Sequence, residues 1–283
     1  MLQMSVIVPT YDDDARLQKC ISALAEQSLD SRLYEVIVVN NSNRKVTCQL
    51  PRSGFKLLQE LTPGSYAARN KGLEVAKGEF IAFTDSDCIP DREWLKAGLN
   101  KLMSGCADRV AGRVVIFPQS ARMSAVECYE RIFAFRQIDN AKRGSSVTAN
   151  LFVKREVIEV AGPFDSRLLS GGDTEWSGRA SRAGFGIVYD EKAFVLHPAR
   201  HSWRQLCKKI ERTTGGKFSI NSTYKLNVLR SLAPPIEAGR IILHSGEDNR
   251  TKLLAFLVAY GIKLKKLAYL RQLRMKKVQP QRS

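Results

Sequence analysis

Two aspartates two residues apart, Asp85 and Asp87, are the clearest candidates for chemistry in this sequence. They follow a short, bulky apolar run at residues 80–83, which predicts a strand buried on both faces. Carboxylates at the carboxyl end of a buried parallel strand lie at the edge where open α/β sheets bind ligands. Divalent cations such as Mg²⁺ prefer oxygen ligands and share them with phosphate. The pair therefore predicts a binding site for a divalent metal ion that also coordinates a diphosphate.

The surrounding segments predict the sheet that positions this pair. Strands are predicted at residues 4–9, 34–39 and 55–58, and helices at residues 15–27 and 65–76, because apolar residues follow strand or helical spacing there. Strand, helix and strand at this spacing form a βαβ unit with parallel strands. Downstream, helices are predicted at residues 91–102, 123–140 and 171–184, and strands at residues 110–117, 147–153 and 187–196. The predicted class is α/β, with a single, Rossmann-like, mostly parallel sheet flanked by helices.

Polar residues follow the first two strands at the predicted edge of the sheet. Pro9, Thr10 and Tyr11 end the first strand, and Asn40 and Asn41 end the second. Because carboxyl ends of parallel strands share one edge, these side chains would line a crevice with the aspartates. Each one taken singly is an ordinary turn or capping residue. Together they predict a binding site.

A second acidic cluster, Asp173 and Glu175, follows two glycines and opens a predicted helix. One interpretation is an N-cap, in which Asp173 accepts backbone N–H bonds and the helix dipole favours Glu175. The other is a general base, since glycines let the backbone approach a ligand closely. A nucleotide and metal site upstream favours the general base.

Arg69, His197 and His201 are further candidates. Arg69 lies on the helix before the aspartate strand, and a guanidinium suits phosphate or carboxylate,. His197 and His201 follow the last predicted strand, where a histidine is either a structural residue or a metal ligand,. The position of His197 directly after that strand would let it face the same crevice.

Composition excludes several classes of protein. With 283 residues and 44% hydrophobic composition, the chain can bury a core and is not expected to be disordered. The six cysteines occur singly, which favours reduced, buried thiols over a zinc site. The N-terminus lacks the basic region of a signal peptide, and no apolar run approaches the roughly 18 residues of a membrane span. We therefore expect a cytoplasmic protein.

The C-terminal segment concentrates the positive charge. The net charge is +17, and residues 249–283 hold ten Lys or Arg and no acid. The apolar residues with helical spacing are Leu253, Phe256, Leu257, Tyr260, Leu264 and Leu267. The basic residues behind them are Lys263, Lys265, Lys266, Arg271, Arg274, Lys276 and Lys277. The pattern indicates either an amphipathic helix on an anionic membrane surface or a helix packed on the main domain, and no binding motif indicates nucleic acid.

The motifs in chain order resemble those of family 2 glycosyltransferases with a GT-A fold: VIVPTY, VIVVNNSN, AARNKGLEVAKGEFIAFTDSDCIPDREWL, GPFDSRLLSGGDTEWSGRASRAGF and VLHP. The resemblance covers about residues 4–200. It implies an inverting transfer from a nucleotide-diphosphate sugar, UDP- or dTDP-linked, to a hydroxyl of a glycan or lipid-linked acceptor. It also implies a role in cell-envelope or exopolysaccharide synthesis at the inner face of the membrane.

The resemblance assigns roles to the candidate residues. It implies a nucleotide-sugar site formed by Pro9, Thr10, Tyr11, Asn40, Asn41, Arg69, Asp85 and Ser86. Asp87 and His197 would hold Mn²⁺ or Mg²⁺, and Asp173 would be the catalytic base with Glu175 as a supporting acid. The implied division is a nucleotide-sugar half at residues 1–120, an acceptor and base half at residues 121–200, and a helical extension with a basic tail at residues 201–283.

Two departures from the family pattern keep other functions open. Asn40 and Asn41 stand where the family has an Asp for the base, and Gly172 stands where it often has an acid before the catalytic Asp. These favour a non-catalytic module that binds nucleotide sugars or glycans. Paired aspartates with a metal also fit a nucleotidyltransferase, whereas a retaining glycosidase, which needs no nucleotide crevice, fits less well.

Overall fold

The computed structural model begins as an alternation of buried strands and helices. It describes residues 2–51, 53–168, 170–220, 228 and 232–275, without the side chains of residues 217, 219 and 220. The first elements are β1 (Met4–Thr10), α1 (Asp14–Ala25), β2 (Tyr34–Asn40), β3 (Phe55–Gln59), α2 (Ser65–Val75) and β4 (Phe80–Thr84). All residues of β1, β2 and β4 are buried, as in a sheet covered on both faces. β1 pairs in parallel with β2 and β4, and β2 with β3, which confirms the predicted βαβ organisation.

The remaining elements extend the sheet to eight strands. They are β5 (Ile89–Pro90), α3 (Trp94–Met103), β6 (Arg109–Phe117), α4 (Ala125–Phe133), α5 (Gln137–Lys142), β7 (Asn150–Lys154), α6 (Arg155–Ala161), α7 (Gly172–Arg182) and β8 (Ile187–Pro198). The strand order is β3-β2-β1-β4-β7-β6-β8-β5. The sequence analysis did not predict β5 or α6.

The sheet is more mixed than predicted. The pairs β4–β7, β6–β7 and β5–β8 are antiparallel, whereas the four neighbouring strands β3, β2, β1 and β4 form a parallel block. Parallel neighbouring strands are usually joined by a crossover helix. No short connection of this kind joins β4 to β7, so the sequence does not determine the direction of β7 in the sheet. The predicted α/β class is confirmed.

The helix predicted at residues 123–140 is interrupted. It forms α4 and α5, and Phe135 between them has a φ of 51°. A positive φ is uncommon for a bulky residue and cannot continue a right-handed helix. The helical spacing of the sequence is therefore correct on both sides of a break that spacing alone does not reveal.

A buried asparagine ties together the strands around β8, which carries His197. Asn150 accepts a hydrogen bond from Trp94 Nε1 at 2.9 Å and donates to the carbonyls of Arg113 and Ala193 at 2.8 and 2.9 Å. A Cβ at Gly112 would come within 2.3 Å of the Asn150 side chain. The absence of a side chain at residue 112 thus allows this network to form.

The chain forms two compact units. The sheet unit comprises Met1–Val115, Phe135–Arg167 and Gly172–His197, and the helical unit comprises Ile116–Ala134, Leu168–Gly171 and Pro198–Ser283. The boundaries predicted at residues 120 and 200 divide the chain by function, and that division stays a prediction.

The helical unit is built around one long helix. Among the described residues after β8, it contains the helices α8 (Trp203–Ile220), α9 (Ile236–Leu243) and α10 (Asn249–Arg274). Its main apolar cluster comprises Val126, Leu206, Ile210, Val258 and Ile262. The predicted C-terminal helix is confirmed, and Lys276 and Lys277 lie outside the described residues. Within the part of the chain described here, no helix has both the length and the apolarity needed to cross a membrane.

Candidate functional site

Three parallel strands end at one edge of the sheet and bring predicted site residues there. Thr10, the last residue of β1, is in register with Asn40, the last residue of β2, and Asp85 directly follows β4. The backbone N–H of Asn41 donates to the Thr10 carbonyl at 2.9 Å. Pro9 is buried inside β1, whereas Tyr11 is 61% exposed. The shared edge follows from the parallel pairing, as the sequence predicts.

The side chain of Asp85 is held by a buried arginine. Arg69 Nη2 donates to Asp85 Oδ1 at 2.5 Å, and Arg69 Nη1 donates to the Ser65 carbonyl at 3.3 Å. Arg69 is 3% exposed, while the Asp85 side chain is 33% exposed. The guanidinium thus neutralises and orients this carboxylate from inside the protein. Direct contact between Arg69 and a nucleotide stays a prediction, as does the contact predicted for half-buried Ser86.

Asp87 lies beside His197. Asp87 Oδ2 is 3.4 Å from His197 Nε2, and the Asp87 side chain is 30% exposed while that of His197 is 6% exposed. The ring of Phe135 packs against the imidazole with centroids 4.6 Å apart, so the break between α4 and α5 supplies a wall of this site. A carboxylate oxygen and an imidazole nitrogen so close together suit Mn²⁺ well and Mg²⁺ through the carboxylate.

Cys88 is a third potential ligand that the sequence analysis did not include. Ligand atoms of Asp87, Cys88 and His197 all lie within 4.8 Å of one another. The Cys88 thiol is fully buried and donates to the Ala149 carbonyl at 3.8 Å. Burial first, and then the charges of Asp85 and Asp87, raise the pKa of this thiol well above its usual value. Mn²⁺ and Mg²⁺ favour carboxylate oxygen and, for Mn²⁺, imidazole nitrogen over soft sulfur ligands, and Asp87 and His197 offer those atoms here.

The amide groups of Asn40 and Asn41 are engaged with the chain itself. Asn40 donates to the Arg44 carbonyl at 2.7 Å and to Gln59 Oε1 at 3.0 Å, and accepts from the Ser42 backbone N–H at 3.1 Å. Asn41 is bonded to the backbone of Glu60, Thr62 and Gly64. Both residues therefore shape the loop after β2, and the nucleobase contact predicted for them stays a prediction.

A cavity of about 250 Å³ lies between the loops that follow β1 and β2. Its lining residues are Asp12, Asp14, Asn40, Arg44, Lys45, Val46 and Thr47. Asp12 has a φ of 50° and accepts a hydrogen bond from Ser42 Oγ at 2.5 Å, which joins the two loops. The Oγ1 atom of Thr10 is buried and has no hydrogen-bond partner among the described residues. This edge thus contains a space with polar and charged walls.

Asp173 lies in the first turn of α7 and is bonded to a tyrosine. The Tyr66 hydroxyl donates to Asp173 Oδ1 at 2.6 Å. Because α7 begins at Gly172, Asp173 is inside the helix and not at its N-cap. Glu175 is paired with Arg179 on the same helix, with Arg179 Nε 2.8 Å from Glu175 Oε1. The role predicted for Glu175 as a supporting acid stays a prediction.

The first turn of α2 links the two acidic clusters. Tyr66 contacts Asp173, and Arg69, three residues later, contacts Asp85. The Arg69 guanidinium carbon lies 5.8 Å from the centre of the Tyr66 ring. One turn of helix therefore sets the positions of an acid from each cluster.

Asn70, next to Arg69 on α2, fixes the loop before α7. Its side chain donates to the Phe164 carbonyl at 2.8 Å and accepts from the Phe164 backbone N–H at 2.9 Å. Local sequence patterns indicate no role for Tyr66, Phe135 or Cys88. Tyr66 could have been noticed because it lies one turn before the candidate residue Arg69 on the same predicted helix. A buried tyrosine hydroxyl at such a position needs a hydrogen-bond partner.

His201 belongs to a different set of contacts, within the helical unit. Its Nδ1 lies 3.2 Å from Glu127 Oε2. Glu127 also accepts from the backbone of Gln119 and Ser124, both at 2.7 Å. These bonds give His201 a structural role.

Comparison with known proteins identifies the family. The sequence profile described as Glycosyl transferase family 2 matches residues 5–153. Glycosyltransferase AglE of Haloferax volcanii is 33% identical over 239 residues, which are 81% of this chain and 78% of that protein. The structure of the mannosyltransferase PcManGT from Pyrobaculum calidifontis, in complex with GDP-Man and Mn²⁺, is similar with a TM-score of 0.64 at 16% identity, covering 98% of this chain and 88% of that one. Residues 1–349 of S. aureus TarS in complex with UDP-GlcNAc give a TM-score of 0.57 at 18% identity, covering 97% and 92%.

The relatives agree with the fold of this chain. The structural likeness extends over nearly the whole chain, and the family profile includes the β1, β2 and β4 ends where Thr10, Asn40 and Asp85 lie. The chain therefore belongs to family 2 of the glycosyltransferases and has their GT-A fold, as the resemblance of its motifs predicts.

Proposed function

We propose that this glycosyltransferase moves a sugar from a nucleotide-diphosphate donor to a hydroxyl of a glycan or lipid-linked acceptor, with inversion and with help from Mn²⁺ or Mg²⁺. The observation that carries the proposal is the linkage of the two acidic clusters through α2, with Tyr66 on Asp173 and Arg69 on Asp85. Nucleotide sugars bound in two structural neighbours, GDP-Man and UDP-GlcNAc, support this class of donor.

The nucleotide is proposed to lie along the ends of β1, β2 and β4. The cavity beside Asn40 has room for a nucleobase, and Arg44 and Lys45 supply positive charge at its wall. The buried hydroxyl of Thr10, which has no partner among the described residues, is proposed to bond the nucleotide. Asp85, fixed by Arg69, is proposed to meet the ribose. Tyr11, which directly follows Thr10, and Ser86, which directly follows Asp85, are proposed to contribute to the same site. We favour UDP- or dTDP-linked donors.

Asp87 and His197 are proposed to hold the metal ion. Bound there, Mn²⁺ or Mg²⁺ would supply Lewis-acid neutralisation of the negative charge on the departing diphosphate. The ring of Phe135 packs against the His197 imidazole, and Asp87 Oδ2 lies 3.4 Å from His197 Nε2. These contacts hold the imidazole in place for that role. Partial exposure of Asp87 leaves room for phosphate oxygens next to the two ligands.

Asp173 is proposed to be the general base. The acceptor hydroxyl must lose a proton as it attacks the anomeric carbon from the face opposite the diphosphate, and a positioned carboxylate accepts it. One displacement of this kind inverts the anomeric centre. The half-buried carboxylate of Asp173 has one oxygen bonded to Tyr66, which leaves the other to receive the proton.

The test begins with the donor. Thermal unfolding of the purified protein is measured with UDP-, dTDP- and GDP-sugars, with and without Mn²⁺, because a ligand that binds the native state stabilises it. We expect one donor class to raise the melting temperature in a metal-dependent way and to be turned over with an added acceptor. Release of pyrophosphate from a nucleoside triphosphate would instead indicate a nucleotidyltransferase, and metal-dependent binding without turnover would indicate the non-catalytic module.

We further propose that the enzyme works on an anionic membrane surface in cell-envelope or exopolysaccharide synthesis. In the helical unit, α10 buries small and branched residues, while Leu253 and Leu257 on it are 61% and 55% exposed. On α9, Ile236 and Leu243 are 67% and 70% exposed. Exposed apolar side chains beside the basic residues of this segment fit an interfacial helix.

Point substitutions test this surface better than truncation, because α10 contributes Val258 and Ile262 to the apolar cluster of its unit. Leu253→Ser with Leu257→Ser should reduce cosedimentation with vesicles of anionic lipid severalfold, since these side chains would no longer enter the interface. Met103→Ser, at a residue of α3 that is 60% exposed, is the matched control. Equal vesicle binding by all variants would disprove the membrane surface.

A further inference from the structure

The oxygen of Tyr66 is the centre of three hydrogen bonds at the start of α7. The hydroxyl donates to Asp173 Oδ1 at 2.6 Å and accepts from the backbone N–H of Gly172 at 2.9 Å and of Asp173 at 3.4 Å. The tyrosine comes from α2, 107 residues away in sequence. A single side chain thus binds both the backbone and the carboxylate at this helix end.

The ring of Tyr66 is fixed on several sides. It is 6% exposed and stacks on Phe164, with ring centroids 5.9 Å apart. A Cβ at Gly172 would come within 2.6 Å of the ring. The space that a side chain at residue 172 would need is therefore filled by Tyr66, which gives a physical reason for the glycine before Asp173.

We propose that Tyr66 is a positioning residue for the general base: it holds Asp173 Oδ1 and directs Oδ2 toward the acceptor hydroxyl. The inference rests on the proposed function of Asp173. As the bond from the acceptor oxygen to the anomeric carbon forms and the bond to the diphosphate oxygen breaks, the hydroxyl proton passes to Oδ2. Tyr66 keeps its own proton throughout.

The environment of Tyr66 supports this division of roles. Burial, and next the charge of Asp173, raise the pKa of the phenol above its usual value. The charged groups that face the phenol are Asp173 and, from its own helix, Arg69. Glu175, on the helix of Asp173, is paired with Arg179. The tyrosine is therefore a hydrogen-bond donor at neutral pH and not an alternative base.

Tyr66→Phe tests the inference, because it keeps the ring and its packing and removes only the hydroxyl. We expect kcat to fall about 10- to 100-fold, as for loss of a hydrogen bond to a charged group, with the KM for the donor unchanged. The loss should therefore fall on kcat and not on binding, as expected for a residue that positions the base. The ¹³C chemical shift of the Asp173 carboxyl carbon at neutral pH should also change, because this carboxylate loses the hydrogen bond from Tyr66.

Tyr34→Phe is the matched control. Its hydroxyl donates a buried hydrogen bond of 2.7 Å to the Leu24 carbonyl, so the variant loses a similar bond away from Asp173. It should leave kcat, the KM for the donor and the Asp173 carboxyl chemical shift as in the wild type. An unchanged Asp173 carboxyl chemical shift in Tyr66→Phe overturns the inference whether or not a substrate is known, whereas absence of transfer by the wild type would count against the proposed function alone.

Discussion

The two acidic clusters, Asp85 with Asp87 after β4 and Asp173 with Glu175 at α7, share one design. In each cluster an arginine neutralises one carboxylate: Arg69 pairs with Asp85 at 2.5 Å, and Arg179 pairs with Glu175 at 2.8 Å. The other acid in each cluster contacts an aromatic partner that can orient it. Asp87 has His197 at 3.4 Å and Asp173 has Tyr66 at 2.6 Å.

The clusters differ in where the arginine comes from. Arg69 is buried and belongs to a different element from Asp85, whereas Arg179 lies one turn after Glu175 on the same helix and is partly exposed. A buried arginine that loses its partner carries an uncompensated charge in the interior. A local pair near the surface is worth much less. The comparison teaches that similar acid pairs should respond very differently to substitution.

Asp87→Ala should have the largest effect. Removal of a proposed metal ligand should lower transfer by about a thousandfold or more, since a metal contributes several kcal/mol to charge neutralisation. Calorimetric titration should show that Mn²⁺ binding is lost as well. Asp190→Ala, at a partly exposed acid within β8, is the control and should behave like the wild type. Normal activity of Asp87→Ala would remove this residue from the metal site.

Asp173→Asn should lower kcat by about 10²- to 10⁴-fold, as expected for loss of a general base. The amide keeps the size of the side chain, so donor affinity and folding should be nearly unchanged. Initial-rate transfer assays measure the change in kcat, and donor titration measures the change in donor affinity. If transfer is retained, another group accepts the proton.

Asp85→Asn should have an intermediate effect on two properties. The amide can still accept from Arg69, but the buried guanidinium loses its counter-charge, so the free energy of unfolding should fall by about 1–3 kcal/mol. Donor affinity should fall about tenfold, because the group proposed to meet the ribose changes. Urea unfolding and donor titration measure both. A stability equal to that of the wild type would show that the pair with Arg69 does not matter to the fold.

Glu175→Gln should have the smallest effect and serves as a partner control to Asp173→Asn. Loss of an i,i+4 pair costs about 0.3–0.5 kcal/mol, and transfer should stay within about threefold of the wild type. Arg179 also donates to the Pro163 carbonyl at 2.7 Å, so it should keep its place. A large fall in kcat would instead support the role of Glu175 as a supporting acid.

The sequence predicts most elements of the sheet unit, because these depend on local patterns. Apolar runs mark β1, β2 and β4, and Asp85 lies directly after β4, as the sequence predicts; the roles of the candidate acids stay predictions. Tyr66 could not be assigned to Asp173 this way, since their contact spans 107 residues. The break at Phe135 was also missed, because a positive φ in a bulky residue leaves no trace in helical spacing.

The C-terminal helix shows another limit of pattern reasoning. The spacing of Leu253 and Leu257 correctly predicts a helix, but the side chains of these leucines are exposed and do not form its buried face. The buried face uses Ala255 and Ala259 instead, whose small side chains permit close packing of neighbouring helices. Which of two apolar faces is buried depends on the partner, and the partner cannot be read from the helix alone.

The single turn of α2 that carries Tyr66 and Arg69 has a thermodynamic consequence for the proposed function. A displacement of this turn would alter the hold on Asp85 and the hold on Asp173 together, so with the proposed roles of these acids, donor binding and alignment of the base would be linked. In such a linkage each ligand changes the affinity for the other by the same factor. With the proposed roles, one helical turn would thus couple the donor and acceptor sites, whichever ligand binds first.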